Sequence, residues 1–197
     1  MSWKPRASGN NLSFDGEAVV KDFGHRLDAC ARERACLRQL AGRLPVPALR
    51  DGSTESRLRI EYLDGVAPDE VIEGGGGGRV LLALGRFLRR LHQCDAAGVA
   101  RALPGPGTVI VHGDFGHHNV LMSLDGAEVV GVLDWEEARL GDPITDLAWC
   151  EFQFRNRFER QAWAIPKLFE GYGSTPDSEQ RAESLRARLE ELSRRSR

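Results

Sequence analysis

Side chains that could carry out phosphoryl transfer lie between two apolar runs, in the stretch VIVHGDFGHHNVL at residues 109–121. Asp114 and Asn119 belong to this stretch, and Asp134 ends a later apolar run, GVLDW. A strand–loop–strand–turn–strand pattern would bring these three side chains to one end of a small hairpin system. In phosphoryl transfer one carboxylate accepts the proton of the acceptor hydroxyl, while an amide oxygen and a second carboxylate hold Mg²⁺ against the nucleotide phosphates. Asp114 is therefore the candidate catalytic residue, and Asn119 and Asp134 are the candidate Mg²⁺ ligands.

The same stretch contains His112, His117 and His118, which raises the alternative of a zinc site. The three histidines lack the H-x-x-x-H spacing of a helical site, and the stretch contains no cysteine. His117 and His118 are adjacent, and adjacent side chains on extended chain point to opposite sides. The pattern favours histidines that hold the loop through hydrogen bonds to the backbone.

The composition is that of a globular protein. The chain has 197 residues, a length sufficient for one large domain or two small lobes. Of these residues 41% are hydrophobic and 28% are charged, which are ordinary values for a globular protein. A net charge of −2 argues against a nucleic-acid-binding surface, and no apolar run approaches the length of a membrane span. The start MSWKPRASGN lacks the features of a signal peptide, and the four cysteines show no C-x-x-C spacing. We expect reduced, partly buried thiols in a cytoplasmic protein that binds neither nucleic acid nor membrane.

The elements that must position the candidate residues follow from hydrophobic patterning. LSFDGEAVVKDF predicts two antiparallel strands over residues 12–23, turned at Asp15 and Gly16. A helix is predicted in RLDACARERACLRQLAGRL and a strand in LRIEYL. Further strands are predicted in TVIV, NVLMS and AEVVGVLDW, and helices from DPITDLAW onward. The sequence thus predicts an α+β fold, with a small β-rich N-terminal lobe carrying one helix and a mainly helical C-terminal lobe.

The run EGGGGGRV at residues 73–80 is not a phosphate-binding loop. A P-loop requires Gly-Lys-Ser/Thr at its end, and G-x-G-x-x-G fails because Arg79 stands where the last glycine should be. The run therefore predicts a flexible spacer before the helix VLLALGRFLRRLHQC.

The stretch VHGDFGHHNVL followed by GVLDWEEARLGDPITDLAW resembles the aminoglycoside phosphotransferase family, the small-molecule branch of the protein-kinase-like fold. The family signature is His-Gly-Asp-x-x-x-x-Asn, an apolar strand ending in a metal-binding Asp, then Gly-Asp-Pro and Asp-Leu-Ala, and all occur in this order within residues 109–149. The resemblance implies a two-lobed fold, with a short nucleotide-binding lobe over residues 1–63 and a catalytic and acceptor-binding lobe over residues 64–197. It also implies ATP as phosphoryl donor, GTP not being excluded, together with Mg²⁺ and a small-molecule hydroxyl acceptor. The sequence does not determine the oligomeric state.

The resemblance extends in weaker form to the N-terminal part. Lys21 in AVVKDF takes the place of the strand lysine that reaches the α- and β-phosphates, and Glu33 that of the helix glutamate paired with it. RIEYLDG resembles the hinge, where the backbone of Glu61 and Leu63 would meet the adenine edge. These four residues are the implied nucleotide-binding set.

Other positions near the motif have implied roles. Asp146 is expected to brace the catalytic loop through backbone hydrogen bonds, and Glu136 is either a second acidic position of the metal site or a surface residue. The residues predicted to be core are Trp135, Trp149 and Phe152. The residues that would form an acidic wall suited to a cationic sugar are Asp142, Glu151 and Glu159.

The chain departs from the family in length. Strand one and the phosphate-covering loop must fit into MSWKPRASGNN, where residues 8–11 offer a reduced loop, and the insertion between Gly65 and His112 is short. The leading hypothesis is an ATP-dependent phosphotransferase that transfers the γ-phosphate to a hydroxyl of a small molecule, with aminoglycoside-like, other amino-sugar and amino-alcohol acceptors among the candidates. The alternative is a catalytically weak or inactive kinase-like protein that binds a ligand or partner. A hydrolase is disfavoured because the loop has no Ser or Cys nucleophile.

Overall fold

The computed structural model describes residues 11–195 and has an α+β architecture, as the sequence predicted. The strands are β1 (Asn11–Phe14), β2 (Ala18–Asp22), β3 (Arg57–Glu61), β4 (Val109–Val111), β5 (Val120–Met122), β6 (Val129–Val132) and β7 (Arg139–Gly141). The α-helices are α1 (Leu27–Leu40), α2 (Pro68–Val71), α3 (Gly77–His92), α4 (Ile144–Arg157), α5 (Pro166–Tyr172) and α6 (Ser178–Arg195). The reduced phosphate loop expected at residues 8–11 and the first strand expected before it fall mainly on residues 1–10, outside the described residues.

The N-terminal part is an antiparallel sheet in the order β1-β2-β3 with α1 packed against it. The hairpin predicted over residues 12–23 is confirmed, because β1 pairs with β2 and the carboxylate of Asp15 accepts hydrogen bonds from the N–H groups of Glu17 and Ala18 at 3.0 and 2.9 Å. Gly16 supplies the positive φ of 99° that this turn requires. The buried face of α1 includes Glu33 together with apolar residues, so the helix presents a carboxylate to the sheet from inside the core.

The C-terminal part is built around α3, whose buried leucines recur at helical spacing. Helix α5 packs against it closely enough that a Cβ at Gly85 would overlap the carbonyl oxygen of Leu168, and one at Gly171 would overlap that of Leu82. Two antiparallel strand pairs, β4 with β7 and β5 with β6, lie beside these helices and carry the histidine-rich loop between β4 and β5. None of the helices within residues 11–195 combines the length and apolarity needed to cross a bilayer.

The prediction that the glycine run is a flexible spacer was wrong. Residues Ile72–Gly76 form a π-helical turn that bends at Gly75, where φ is 89°, and α3 begins directly after it. The side chain of Gln161 holds this bend by accepting a hydrogen bond from the Gly77 N–H at 3.0 Å and donating one to the Ile72 carbonyl. Gly75 is needed for its conformation and Gly76 for space, because a Cβ at Gly76 would lie 2.6 Å from Cγ1 of Val71.

All four cysteines are free thiols in the structure. Cys30, Cys36 and Cys150 are buried, and Cys94 is partly exposed. This agrees with the prediction of reduced and partly buried thiols.

Candidate active site

Asp146, the third residue of α4, holds the loop between β4 and β5 in place. Its fully buried carboxylate accepts hydrogen bonds from the N–H groups of His112 and Gly113 at 2.8 and 2.9 Å, and it lies 3.1 Å from Nε2 of His92. Burial alone would raise the pKa of Asp146, but the hydrogen bond and charge of His92 and the backbone donors lower it below its usual range. The bracing role predicted for Asp146 is confirmed by these contacts.

His112 connects this loop to the strand that leads to Asp134. Its Nε2 lies 3.0 Å from the carbonyl oxygen of Leu133, and its Nδ1 accepts a 3.3 Å hydrogen bond from the Asp114 N–H. The imidazole is fully buried and stacks near Trp135, which is also fully buried, as predicted. His112 is therefore a structural link bonded to backbone, as the sequence predicted for histidines of this loop.

Asp114 is held by donors on two sides. Its Oδ1 accepts hydrogen bonds from Nε1 of Trp149 at 2.8 Å and Nε2 of Gln153 at 3.3 Å, while its Oδ2 lies 3.1 Å from both His118 Nε2 and Asn119 Nδ2. Burial opposes ionisation, but the hydrogen bond and charge of His118 outweigh it and lower the pKa of Asp114. The carboxylate is therefore an ionised acceptor oriented by four donor side chains.

The sequence did not predict that three of these residues donate to Asp114. Trp149 was predicted to be core but is only partly buried, because its indole N–H is turned to Asp114. Gln153 and His118 received no role. The spacing of residues in α4 could have indicated these donors. Asp146, Trp149 and Gln153 lie about one turn apart on the same face of α4, and all three contact the loop.

Lys21 lies at the centre of the acidic residues predicted to bind nucleotide and metal. Its Nζ is 2.6 Å from a carboxylate oxygen of Glu33, 2.6 Å from one of Asp134 and 3.4 Å from one of Glu136. Burial alone would lower the pKa of Lys21, but the three carboxylates together raise it. Burial raises the pKa of Glu33 to about 7. The charge of Lys21 opposes this rise, and the charge of Asp134 adds to it. The structure thus brings Lys21 and Glu33 together and places both against Asp134.

Asp134 follows β6 and has a backbone conformation that non-glycine residues rarely adopt. Its φ is 63°, and within residues 11–195 it is the only non-glycine residue with positive φ. Such strain is usual at functional sites and needs support from the surroundings. Here the support comes from its neighbour Leu133, whose N–H donates to the carbonyl of Asn119 at 2.9 Å and whose carbonyl meets His112. Asp134 and Asn119 line the same cleft.

Asn119 and Asp134 fit a magnesium ion by their chemistry. Both hydrogen bonds of the Asn119 side chain use its nitrogen, which donates to the backbone oxygen and the carboxylate of Asp114, so its amide oxygen is left for another ligand. Carboxylate and amide oxygens are the hard donors that Mg²⁺ prefers, and Mg²⁺ binds through one or two such groups together with phosphates and water.

Six of the seven candidate site residues line one cleft. Those in its wall are Lys21, Glu33, Glu61, Leu63, Asn119 and Asp134. Asp114 lies beside the cleft, joined to it through His118 and Asn119. The N–H of Glu61 is bonded to the Ala48 carbonyl at 2.8 Å, whereas the N–H of Leu63 has no backbone partner within residues 11–195.

Glu136, whose role the sequence left open, connects α1 to the turn that carries Asp134. Arg26 donates to its carboxylate at 2.9 Å, and Arg32 donates to its backbone oxygen at 2.8 Å. Together with the contact to Lys21, these bonds fix the acidic turn against the N-terminal helix. Glu136 is thus a link between the two parts of the chain.

One family model matches most of this chain. The family model APH, described as the phosphotransferase enzyme family, matches residues 10–105 and 98–185. Viomycin phosphotransferase from Streptomyces vinaceus is 49% identical over 49 residues, which are 24% of this chain and only 17% of that protein.

Two solved structures are similar over most of this chain. Aminoglycoside phosphotransferase APH(3'')-Id from Streptomyces rimosus superposes with a TM-score of 0.67 at 18% identity, over 93% of this chain and 90% of that one. A macrolide 2'-phosphotransferase from Brachybacterium faecium superposes with a TM-score of 0.63 at 20% identity, over 92% of this chain and 80% of that one. The protein-kinase-like fold predicted from the sequence is confirmed.

Proposed function

This chain belongs to the phosphotransferase enzyme family, and from that membership and the cleft we propose that it transfers the γ-phosphoryl group of ATP to a hydroxyl of a small molecule. The observation that carries the proposal is the contact of Lys21 with Glu33 and Asp134, both at 2.6 Å, next to a catalytic-loop aspartate. The relatives and neighbours are named for viomycin, aminoglycosides and macrolides. We place the acceptor among hydroxyl-bearing small molecules such as aminoglycoside-like compounds, other amino sugars and amino alcohols.

The nucleotide is held by the N-terminal part of the proposed site. Lys21 is 3% exposed and fixed by Glu33, so its ammonium can meet the phosphates without losing much conformational freedom on binding. The adenine would lie against the backbone of Glu61 and Leu63. Because this contact uses backbone groups, GTP remains an alternative donor. We assign residues 1–63 to nucleotide binding and residues 64–197 to catalysis and acceptor binding.

Asn119 and Asp134 would hold Mg²⁺ in this site. When bound there, the ion neutralises charge on the nucleotide phosphates. Two features of the chain serve that role. The strained turn aims the Asp134 carboxylate into the cleft, and the Asp114 oxygens fix the amide of Asn119.

Asp114 is the acceptor-side group of the proposed reaction. Its carboxylate binds the acceptor hydroxyl and takes its proton as the hydroxyl oxygen forms a bond to the γ-phosphorus and the bond from that phosphorus to the ADP oxygen breaks. The donors around Asp114 favour its ionised form and fix its orientation. Orientation is the main contribution that a protein makes to this type of transfer.

The proposal is tested by titrating the protein with ATP in a calorimeter, with and without Mg²⁺. We expect saturable binding that depends on Mg²⁺ and that Lys21→Met weakens strongly. Lys167→Met is the matched control, because Lys167 is exposed and contacts Glu170 only through a surface ion pair. Wild-type protein that shows no Mg²⁺-dependent nucleotide binding would overturn the proposal in favour of a kinase-like binding protein.

A further inference from the structure

The carboxylate of Asp114 already has a donor at each of its acceptor positions. An ionised carboxylate offers about four lone-pair sites, two on each oxygen. Oδ1 meets Trp149 and Gln153, and Oδ2 meets His118 and Asn119. In the proposed reaction the same carboxylate must accept a hydrogen bond from the acceptor hydroxyl, because a base must lie within hydrogen-bond distance of the proton it takes. One of the four donors must therefore leave when the acceptor binds.

Two of the donors are fixed by further contacts. Asn119 is 6% exposed, and its amide nitrogen also donates to the backbone oxygen of Asp114 at 2.9 Å. The indole of Trp149 makes the shortest of the four contacts, at 2.8 Å. Its ring lies 5.4 Å from that of Phe152 and 5.7 Å from the guanidinium of Arg188. Displacing either donor would disturb packing as well as one hydrogen bond.

Gln153 is the most readily displaced of the remaining two. It makes the longest of the four contacts, at 3.3 Å, from the end of a flexible side chain on another element, α4. His118 is closer, at 3.1 Å, and belongs to the same turn as Asn119, with its ring 5.5 Å from that of His117. The acceptor hydroxyl would therefore replace the amide of Gln153 at Oδ1.

Gly116 makes the space that this amide occupies. Its backbone is fully extended, with φ −170° and ψ 178°, so its conformation does not require glycine. Space does, because a Cβ at Gly116 would overlap Oε1 of Gln153 and lie 3.0 Å from Nε2. These atoms are the far end of a flexible side chain, so a methyl group at position 116 would move the amide away from Asp114. The loop is thus shaped to admit Gln153 beside the catalytic aspartate.

We propose that Gln153 occupies the hydroxyl position on Asp114 until the acceptor displaces it, and that it thereby keeps water from this position. The Asp114 side chain is 31% exposed, so an entering hydroxyl can reach it. An acceptor gains binding energy from the rest of its structure and can use it to displace the amide, whereas water has no further contacts to use. Gln153 is therefore a specificity-determining residue that favours the acceptor over water. The inference rests on the proposed function and deepens it within the same site.

Loss of the amide would admit water as the acceptor. The water oxygen would bond to the γ-phosphorus while the bond from that phosphorus to the ADP oxygen breaks, and the water proton would pass to Asp114. The products would be ADP and inorganic phosphate.

Hydrolysis of MgATP in water, with no other acceptor, tests the inference. Gln153→Ala should raise the rate of phosphate formation roughly tenfold over wild type, the ratio that about 1.4 kcal/mol represents. Gly116→Ala keeps the glutamine but moves its amide, and it should raise the rate similarly. The double variant should gain nothing further, because both substitutions remove one contact. A purely structural role of Gln153 would lower the rate or leave it unchanged.

A second glycine–glutamine pair is the matched control. A Cβ at Gly98 would overlap Oε1 of Gln39, whose amide donates to the backbone oxygen of Asp95 at 2.8 Å. Gly98 and Gln39 lie outside the wall of the nucleotide cleft. Gln39→Ala and Gly98→Ala should therefore hydrolyse MgATP at the wild-type rate.

Rates at or below that of wild type in both Gln153→Ala and Gly116→Ala would overturn the inference. A higher rate in His118→Ala without one in Gln153→Ala would also overturn it, because His118 would then be the displaced donor. Calorimetric titration with MgATP in the same samples reports on the proposed function separately. Bound MgATP with unchanged hydrolysis in the variants contradicts only the inference, whereas a wild type that binds no MgATP contradicts the proposed function and the inference that rests on it.

Discussion

Asp114, Asp134 and Asp146 lie close together along the catalytic elements, but their partners give them different properties. Asp146 is fully buried and accepts hydrogen bonds from backbone N–H groups. Asp114 is partly buried and accepts hydrogen bonds from side chains. Asp134 contacts Lys21 from a strained turn. The spacing of Asp114 and Asn119 could be predicted from sequence because both residues belong to the loop itself.

The donors around Asp114 could not be predicted in the same way. Trp149 and Gln153 reach it only because α4 packs beside the loop, and that packing is tertiary. A tryptophan in an apolar helix pattern indicates burial, and only the fold reveals that its N–H has a carboxylate partner. The positions of Lys21 and its partner Glu33 were predictable because the resemblance to the family indicates them, but the contact of Lys21 with Glu136 was not.

Asp146→Asn should destabilise the protein by about 2–3 kcal/mol, the scale of losing hydrogen bonds to a charged group. The pKa of Asp146 is lowered in the folded state below the usual 3.8 of an aspartate, so its ionised form contributes stability above that pH, and this contribution is lost as pH falls through the folded pKa. The difference from wild type should therefore be largest at neutral pH and shrink in acid. Urea denaturation at several pH values measures it.

Asp142→Asn is the control for this prediction. Asp142 is exposed near the start of the same helix, and an asparagine oxygen can still accept the Ile144 N–H. A loss of stability in Asp146→Asn that does not change with pH would show that its charge is not what braces the loop.

At the scale of elements, the active-site loop depends on the packing of α3, α4 and α5. The periodic leucines of α3 made this helix predictable, and its start was the part that sequence missed. A run of glycines has low intrinsic helix propensity and therefore indicates a linker. Tertiary contacts override the propensity here, because Gln161 bonds to both ends of the bend and close neighbours leave no room for a side chain at Gly76 or Gly77.

Two glycines of α3 should respond to alanine with opposite signs. A Cβ at Gly85 would overlap the Leu168 carbonyl oxygen and lie 2.7 Å from the Tyr172 nitrogen, so Gly85→Ala should force α5 away and cost about 1–3 kcal/mol or more. A Cβ at Gly78 would meet nothing closer than 3.7 Å, so Gly78→Ala should be neutral or stabilise by up to about 1 kcal/mol through helix propensity.

Thermal and urea denaturation of both variants measures these changes. Equal effects of the two substitutions would contradict the close α3–α5 contact, because only that contact distinguishes the two sites within one helix.

At the scale of the molecule, the site is assembled from segments distant in sequence. Lys21 on β2, Glu33 on α1 and Asp134 after β6 meet through ion pairs, and Glu136 joins the same turn to α1. Binding of nucleotide phosphates at Lys21 and of a metal at Asp134 would connect these parts further. The two-part organisation and its motif order were predictable from sequence, whereas the ion pairs of Glu137 and Glu151 with α6 were not, because they depend on where α6 packs.

The most direct test of the account is the formation of ADP from ATP by the purified protein, with a panel of hydroxylated small molecules and with water alone as acceptor. Wild type should form ADP only when Mg²⁺ is present, and an acceptor from the panel should increase the rate. Asp114→Asn should lower that rate by about 10²–10⁴-fold, the usual contribution of a positioned acid–base group, while it leaves Mg²⁺-dependent ATP binding in place. ADP formation at the same rate in wild type and Asp114→Asn, or none in wild type despite bound MgATP, would contradict the account.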